Sequence, residues 1–415
     1  MNPKNDIHNY NLSLEQVKKR LELSTISKRN KELINLFDRA CFMEALSKPR
    51  RIKLMGSLII LGRDYLKKDF DKATKEDLKN VVMKMDNRED CSPWTKESFK
   101  VILKKFYKWL KFGDEYKDKT EYPTIISWLR ASLKKKDQPK IKASDILTEE
   151  EIKRLIDTAE HPRDKAFISM IYELGARVGE IGGLCIMDVT RDKYGYIIDL
   201  EGKTGHRTPR IVIADPHLTH WINAHPSKDN RDAPLWVMIG HRDKGRRMEY
   251  GAFRALVHRL VEKSGIKKRV YPHLFRHTRV THLLINRQIN EAQAKVYFGW
   301  VPNSTMLSEY SHLISSDVND AILQMHGIKT ENEKVSLLKP KQCPRCSTIN
   351  SSDALFCHKC AGVLDVGTAI KLDEERKSGD DMMAVLVKDP EIQKFLVKKI
   401  MQMGLRKELT EKLVE

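Results

Sequence analysis

The sequence predicts a mainly α-helical protein with a small β-sheet, in which an α+β domain follows an N-terminal helical domain and precedes a small cysteine-rich module. Apolar residues recur at helical spacing through most of the 415 residues. The stretch 194–214 instead shows two β-rich runs around a Gly-Lys-Thr-Gly turn, which predicts a hairpin. Four of the seven cysteines cluster between residues 343 and 360. A chain of this length can hold two or three domains with cores of their own.

The formal net charge of the chain is +19, and it is unevenly distributed. Residues 331–415 hold 15 Lys and Arg against 14 Asp and Glu, so residues 1–330 carry +18. This excess favours a polyanionic partner, foremost nucleic acid, over a merely solvated surface.

Secretion and membrane insertion are not expected. The N-terminus MNPKNDIHNY lacks an apolar signal region, and the longest apolar stretch, LMGSLIIL at 54–61, is too short to span a bilayer. Three scattered cysteines, Cys41, Cys91 and Cys185, favour a reducing compartment. We therefore expect a cytoplasmic protein.

The helical domain is predicted over 22–133, after polar residues 1–20 that we expect to be loosely held. Its best-defined helix is 92–112, with Ser92 as N-cap and Pro93 at the first helical position. One apolar face of this helix is made of Phe99, Ile102, Leu103, Phe106 and Leu110. A second face, the lysine stripe, consists of Lys96, Lys100, Lys104, Lys108 and Lys111. Such a stripe is either a solvated surface or a contact for a phosphate backbone. This helix alone supports the two interpretations equally.

A basic, turn-prone linker at 133–145 leads to the α+β domain, predicted over 148–330. Thr148 and Glu151 form a capping-box pattern at its start. An apolar helix over 166–184 should break near Gly175, before the hairpin at 194–214. Further helices are predicted at 250–264, 275–287, 290–297, 304–312 and 315–326.

Five short pieces of the α+β domain carry chemically active side chains. GARVGE places Arg177 and Glu180 three residues apart at the start of a helix, so both point the same way. PHLFRH does the same for His273 and Arg276. The remaining three are Lys203 on the hairpin turn, Trp300 in FGW and Tyr310 in SEYSHL. Each piece alone has an ordinary explanation, such as a surface ion pair, a solvated lysine, a helix-end histidine or a core aromatic ring.

Together these residue types meet the needs of phosphodiester cleavage without a catalytic metal. Arginines can neutralise the non-bridging oxygens, a lysine can protonate the leaving oxygen, and a histidine near neutrality can act as a base. The sequence shows no carboxylate cluster of the kind that holds Mg²⁺ in metal-dependent nucleases. Tyr310 is the candidate nucleophile, because the arginines, lysine and histidine that such a reaction needs accompany it in the same domain.

Over residues 22–326 the sequence resembles the tyrosine recombinases, that is, phage-type integrases and Xer-type recombinases. ILTEEEIKRLIDTAEHPRDKAFISMIYELGARVGEIGGL is similar to the family's first catalytic box. PHLFRHTRVTHLL resembles its His-x-x-Arg box, and FGWVPNSTMLSEYSH resembles the stretch with the nucleophile. The resemblance implies a core-binding domain at 22–133 that closes around duplex DNA with the catalytic domain. It also implies a homotetramer acting on two duplexes.

The resemblance implies a role for each matching residue. Tyr310 would attack the scissile phosphate, forming a 3′-phosphotyrosyl bond and releasing a 5′-hydroxyl. Arg177 and Arg276 would clamp the phosphate, Lys203 would be the general acid, and His273 would assist as a base. Because the covalent bond conserves the energy of the phosphodiester, strands would be exchanged without ATP.

Glu180 would position its neighbours, whereas Trp300 departs from the family, in which histidine is commoner at this place. An indole N–H can still donate a hydrogen bond but has no acid–base role. Two alternatives to a site-specific recombinase are a type IB-like topoisomerase, which nicks and reseals one duplex, and a catalytically silent DNA-binding regulator. The complete Arg–Lys–His–Arg–Tyr set argues against the silent protein. The resemblance does not tell integration from excision or dimer resolution.

The segment 341–364 predicts a structural zinc ribbon, which most tyrosine recombinases lack. Its two Cys-x-x-Cys pairs, ten residues apart, are typical of tetrahedral zinc bound by Cys343, Cys346, Cys357 and Cys360. Four protein ligands leave no open position, so one structural zinc per chain is expected. A helical tail is predicted over 370–415, with an amphipathic helix at 389–405 whose apolar face is Ile392, Phe395, Leu396 and Ile400. We expect this near-neutral tail to pack against the protein or to bind a protein partner.

Overall fold

The computed structural model describes residues 6–132, 141–202, 205–240, 242–285, 289–304, 306–309, 326 and 336–402. Most of these residues are helical, and three small antiparallel sheets accompany the helices. The predicted mainly α-helical fold with a small β-sheet is confirmed. No helix in these ranges is long and apolar enough to cross a membrane.

Residues 6–132 contain five α-helices that pack around one core. They are α1 (Tyr10–Leu23), α2 (Lys28–Met43), α3 (Lys48–Ile60), α4 (Lys75–Asp86) and α5 (Pro93–Phe112). Phe106 of α5 meets the rings of Phe37 and Phe70 edge-on at the centre of this core. As predicted, α5 begins at Pro93, and the hydroxyl of Ser92 caps it by accepting a hydrogen bond from the backbone of Thr95.

The expectation that residues 1–20 are loosely held is wrong from Tyr10 onwards. Helix α1 packs along α3, and Val17 and Leu21 are buried between the helices. The prediction failed because polar residues dominate this segment, whereas two apolar residues one turn apart are enough to dock a helix on a preformed neighbour. This unit therefore starts earlier than the predicted boundary at residue 22.

Residues 141–309 form the second unit. Its helices are α6 (Glu149–Thr158), α7 (Pro162–Leu174), α8 (Val178–Gly182), α9 (Asp215–Ala224), α10 (Tyr250–Ser264), α11 (Pro272–Ile285) and α12 (Glu291–Phe298). Its core includes the large buried side chains of Phe167, Trp221, Trp236 and Phe253. The predicted capping box is present, because Thr148 caps α6 and Glu151 accepts from the Thr148 backbone.

The β-structure of this unit lies between α8 and α9. Strands β1 (Val189–Asp192), β2 (Gly195–Ile198) and β5 (Arg210–Ile211) form a sheet in the order β1-β2-β5. Strands β3 (Leu200–Gly202) and β4 (Gly205–Arg207) pair with Gly202 opposite Gly205. The predicted hairpin is therefore present as the two-stranded β3-β4 sheet, and β2 and β5 pair in the three-stranded sheet. Strand β1 and helix α9 were not predicted.

The helices predicted at 275–287 and 290–297 are observed as α11 and α12, within a few residues. The helix predicted at 304–312 begins as a short 3₁₀ turn at Met306–Glu309. The helix predicted at 315–326 lies outside the described residues, apart from residue 326.

The C-terminal segment contains the cysteine cluster and two long helices. Strands β6 (Lys341–Gln342) and β7 (Ile349–Asn350) pair, and β7 contacts α9. Helices α13 (Val366–Lys388) and α14 (Pro390–Gln402) follow, and α13 buries none of its residues. Helix α14 lies within the predicted amphipathic helix 389–405, and most of α13 lies within the predicted helical tail 370–415.

An N-terminal arm, residues 6–9, connects the two units. Ile7 is buried in the core of the second unit, and its carbonyl accepts a hydrogen bond from the Tyr250 backbone at 2.9 Å. The His8 ring lies against the Tyr250 ring, with centroids 4.8 Å apart. Because α1 follows directly, the arm links the two units by packing and a hydrogen bond, in addition to the covalent connection through 133–145.

Candidate active site

Arg177 and Glu180 are fixed by the end of α7 and the start of α8. Gly175 ends α7 in the left-handed conformation (φ +51°), and a Cβ there would lie 2.7 Å from the Phe298 ring, so glycine is required. Arg177 is the N-cap of α8. Its backbone N–H and its Nη1 donate to the two oxygens of Glu180, at 3.2 and 2.8 Å.

Arg276 joins three pieces of the site that are far apart in sequence. Its side chain is 2% exposed, with Nη1 donating to the carbonyl of Gly175 at 3.0 Å and Nη2 to that of Phe298 at 2.8 Å. The guanidinium also lies 5.5 Å from the Phe298 ring centroid and 5.6 Å from that of Trp300. A cation held among aromatic faces and carbonyls keeps its charge and its position.

His273 lies one helical turn before Arg276 in α11. Burial, followed by the charges of Arg276 and Arg177, lowers the pKa of the imidazole below its ordinary value. The ring packs edge-on against His277, whose pKa is lowered to about 4 by burial and then by the charges of His273 and Arg276. His273 is therefore neutral near pH 7, as a general base requires.

Arg207 of β4 is a site residue that the sequence analysis missed. Its Nη2 donates to Glu180 at 2.6 Å, and its guanidinium packs against Gly299, just before Trp300. Burial alone would raise the pKa of the Glu180 carboxyl, but the hydrogen bond and charge of Arg207, then those of Arg177, hold the pKa below its ordinary value. The available signal was a basic residue four positions after Lys203 in a hairpin, but its pairing with α8 depends on the tertiary fold.

The structure brings Arg177, Glu180, His273, Arg276 and Trp300 into one site. Trp300 is 8% exposed and packs on Phe298. Lys203 and Tyr310 lie outside the described residues. The hairpin that carries Lys203 is nevertheless close, because a Cβ on Gly202 would lie 2.7 Å from Glu180 Oε1.

The lysine stripe has intramolecular partners along most of its length. Lys96 donates to the carbonyl of Asp86, and Lys100 pairs with the carboxylate of the same residue at 2.8 Å. Lys104 and Lys108 lie over the Tyr122 ring, at 4.0 and 5.1 Å from its centroid. Lys111 is exposed. Most of the stripe is half-buried rather than fully exposed to solvent. The structure therefore supports the predicted DNA contact less than the lysine spacing in the sequence does.

Cys343, Cys346, Cys357 and Cys360 lie close enough to hold one metal ion. Their sulfur atoms are all within 4.8 Å of one another, and the pairs Cys343–Cys360 and Cys346–Cys357 are each 3.6 Å apart. Four thiolates about 2.3 Å from a central ion stand about 3.8 Å apart in a tetrahedron, so the four residues fit zinc.

The backbone around the cysteines is shaped for this cluster. Ser347 and Ala361 each lie four residues after the first cysteine of a pair, and both have positive φ, 57° and 55°. Their N–H groups donate to the carbonyls of Cys343 and Cys357. These matching turns form two equivalent knuckles, one around each Cys-x-x-Cys pair.

Residues 145–316 match the model of the phage integrase family. Tyrosine recombinase XerD of Oceanobacillus iheyensis is 28% identical over 243 residues, which cover 51% of this chain and 77% of that protein. Tyrosine recombinase XerA of Pyrococcus horikoshii is 29% identical over 158 residues, 38% of this chain and 54% of that protein. The chain thus spans only about half the length of several curated relatives that it matches.

Two solved structures share the fold. The site-specific recombinase XerH bound to difH substrate, in its post-cleavage complex, superimposes with a TM-score of 0.52 at 17% identity, over 79% of this chain and 98% of that one. The Tn1549 transposon integrase in complex with transposon right end DNA gives 0.53 at 18% identity, over 71% and 99%. Residues 145–316 are therefore similar in sequence to the phage integrase family, and the chain shares the fold of these two solved structures.

Proposed function

We propose that this chain is a site-specific DNA recombinase that breaks and rejoins DNA through a 3′-phosphotyrosyl intermediate. The observation that carries the proposal is the meeting of Arg177 and Arg276 at Gly175, with neutral His273 beside them. Two permanently charged, planar forks suit the non-bridging oxygens of a phosphodiester and the charge that builds on them in the transition state.

The reaction is a transesterification. The Tyr310 oxygen attacks the phosphorus while neutral His273 accepts the phenolic proton. The bond from phosphorus to the 5′-oxygen breaks, and that oxygen takes a proton from Lys203. One phosphodiester is exchanged for another, so a 5′-hydroxyl of a second duplex can attack the phosphotyrosine and release Tyr310 without ATP.

Glu180 and Trp300 would support this chemistry without exchanging protons in it. Glu180 binds the side chain and backbone of Arg177, which fixes the direction of its guanidinium. Trp300, held against Phe298, would offer its indole N–H to a phosphate oxygen.

Duplex DNA is the proposed substrate, and a homotetramer on two duplexes is the proposed assembly. Residues 22–133 would act as the core-binding domain and 148–330 as the catalytic domain, and these residues lie within the part that carries the +18 charge. The cytoplasm is the proposed location, since a recombinase works where the DNA is. The lysine stripe stays a prediction.

The cysteine cluster is proposed to hold one structural zinc, which would hold the two knuckles of 341–364 together. A small ribbon of this kind depends on its metal for folding. The tail 370–415 is proposed as a surface for a protein partner, since α13 buries no residue of its own.

The proposal is tested with nicked duplexes selected from a randomised library by covalent capture on the protein. The nick lets a short 5′-strand diffuse away, so the covalent intermediate accumulates. Adducts should form with EDTA present, and two labelled duplexes of the selected sequence should exchange strands. Relaxation of supercoiled DNA without strand exchange would indicate the topoisomerase, and DNA binding without any adduct would indicate the silent regulator.

A further inference from the structure

Glu180 lies between two arginines, only one of which the proposed chemistry uses. Its Oε1 accepts from Arg177 Nη1 at 2.8 Å, and its Oε2 accepts from Arg207 Nη2 at 2.6 Å. The side chains of Glu180 and Arg207 are 4% and 8% exposed, whereas that of Arg177 is 37% exposed. Arg177 therefore faces the space that substrate can reach, and Arg207 lies behind Glu180.

The surroundings of Arg207 do not fit a purely structural role. Among the residues that the structure describes, its buried Nε and Nη1 have no hydrogen-bond partner, which is unfavourable in a protein interior. A Cβ on Gly299 would lie 2.8 Å from Arg207 Nη1, and one on Gly202 would lie 3.3 Å from it, so two glycines leave room for the guanidinium. An apolar side chain at 207 would fill this space without unpaired donors, so the charge of Arg207 needs another explanation.

We propose that Arg207 is a positioning residue that occupies one oxygen of Glu180 and thereby keeps part of the Arg177 guanidinium free to bind phosphate. This inference rests on the proposed function of the same site. Carboxylates bind arginine best through two parallel hydrogen bonds. With Arg207 in place, Glu180 offers the Arg177 side chain one oxygen, and the remaining N–H groups of Arg177 stay available.

Loss of Arg207 would change the balance between Glu180 and substrate. Both oxygens of Glu180 could then turn to Arg177, and a buried carboxylate with one cation left would hold it tightly. The phosphate would have to compete with Glu180 for the same N–H groups. The defect should therefore depend on the negative charge of Glu180, which makes it testable by removing that charge.

The experiment compares Arg207→Met, Arg207→Lys and the double variant Arg207→Met/Glu180→Gln with wild type. We expect Arg207→Met to slow adduct formation about 100-fold while duplex affinity changes little, since one preorganised cation contact is affected. Arg207→Lys should recover part of the rate. The double variant should be at least about tenfold faster than Arg207→Met, because a neutral amide cannot hold Arg177 as a carboxylate does.

A matched control is the pair Arg191 and Asp215 in the same unit, joined by two hydrogen bonds of 3.0 and 2.9 Å away from the site. Arg191→Met should leave the rate of adduct formation within about twofold of wild type, provided that the protein is folded. A comparable loss in this control would mean that arginine removal acts through folding, and the inference would be wrong.

A second readout separates this inference from the proposed function. Tungstate, an oxyanion of phosphate-like shape, should bind the wild-type protein at the arginines, bind Arg207→Met more weakly, and bind the double variant more tightly than Arg207→Met. This order supports the inference even if wild type never forms an adduct, a result that would refute only the proposed function. The inference on Arg207 would be wrong if wild type and Arg207→Met bound tungstate with equal affinity. It would also be wrong if the double variant formed the adduct no faster, and bound tungstate no more tightly, than Arg207→Met.

Discussion

Arg276 has the most completely defined surroundings of the two proposed phosphate-binding arginines. Its two terminal nitrogens are already committed to the carbonyls of Gly175 and Phe298, and two aromatic rings surround its carbon. These contacts fix the guanidinium relative to α7, α11 and α12 at once. The Arg276 side chain therefore holds the elements of the site together and also supplies positive charge to it.

Arg276→Lys should lose both functions of this residue while keeping the charge. A lysine cannot reach two carbonyls with a planar fork, so at least one buried carbonyl loses its partner, at a cost of about 1–3 kcal/mol in the free energy of unfolding. Adduct formation should fall at least about 100-fold. Urea unfolding and single-turnover cleavage measure the two effects. Wild-type cleavage by the lysine variant would show that planar recognition is unnecessary.

The pH dependence of cleavage should report His273. Because burial and the charges of Arg276 and Arg177 lower its pKa, the neutral, proton-accepting form dominates at neutral pH and is lost as the pH falls through the lowered pKa. The rate of adduct formation should be flat around neutrality and fall only at a pH below the ordinary pKa of histidine.

His273→Gln should be slower at neutral pH and should lack the acid limb that belongs to His273. Duplex affinity must be matched at each pH. An acid limb at the same pH in both proteins would assign it to another group, such as His277.

At the residue scale, spacing predicted what lies along one helix and missed what lies across elements. The i, i+3 spacing identified Arg177 with Glu180 and His273 with Arg276, and the structure brings all four into one site. Arg207 was missed because its contact with Glu180 joins a hairpin to a helix 27 residues away. The intramolecular partners of the lysine stripe, Asp86 and Tyr122, were not predicted because they lie on other segments.

Among the elements, the N-terminal arm was the least expected. Ile7 is 1% exposed, and its Cδ1 would lie 2.8 Å from a Cβ on Gly182, at the end of the helix that carries Glu180. Helix α8 has only five residues, so packing from behind must hold it in place. Sequence periodicity could not predict this arm because an isolated apolar residue in a polar segment has no period.

Ile7→Ala should destabilise the second unit by about 2–4 kcal/mol, because a buried isoleucine is replaced by a cavity. Leu12→Ala, at a residue 51% exposed on α1, is the control and should be close to neutral. Urea unfolding followed by tryptophan fluorescence distinguishes them, since Trp221 and Trp236 lie in that core. Equal, small effects of both substitutions would mean that the arm does not pack as described.

The cysteine module is the element whose pattern predicted its local structure best. Two Cys-x-x-Cys pairs suffice to predict two knuckles, because the ligand geometry sets the backbone. Its position was not predictable, since the contact of β7 with α9 depends on the surfaces of both. Leu338, just before the module, is buried in the core of the second unit.

Cys343→Ser together with Cys346→Ser should remove one zinc per chain, measured by elemental analysis of the purified protein. Local unfolding of 341–364 is expected, with the second unit still folded, because its core lies elsewhere. A chain ending at Pro340, which keeps Leu338, should form the adduct at matched salt with EDTA present. Loss of the adduct from this folded, shortened chain would assign the module a part in cleavage.

At the scale of the whole molecule, composition and motif order predicted more than periodicity did. The excess charge on residues 1–330 and the three motif boxes pointed to DNA and to phosphoryl transfer before any contact was visible. The fold brings residues of all three boxes into contact, because Arg276 donates hydrogen bonds to the carbonyls of Gly175 and Phe298. No local sequence pattern could predict that the N-terminal arm links the two units, since this link depends on where the first ten residues dock.

The covalent link between protein and DNA tests the central claim most directly. Wild-type protein, Tyr310→Phe and the control Tyr194→Phe, an exposed tyrosine in the same unit, are incubated with the selected nicked duplex. The adduct is then digested with protease, and the DNA-linked peptide is sequenced by mass spectrometry. We predict a bond from Tyr310 to a 3′-phosphate in wild type and in Tyr194→Phe, and no adduct from Tyr310→Phe despite equal DNA binding. A bond to another residue, a 5′-phosphate linkage, or an adduct formed by Tyr310→Phe would contradict the account.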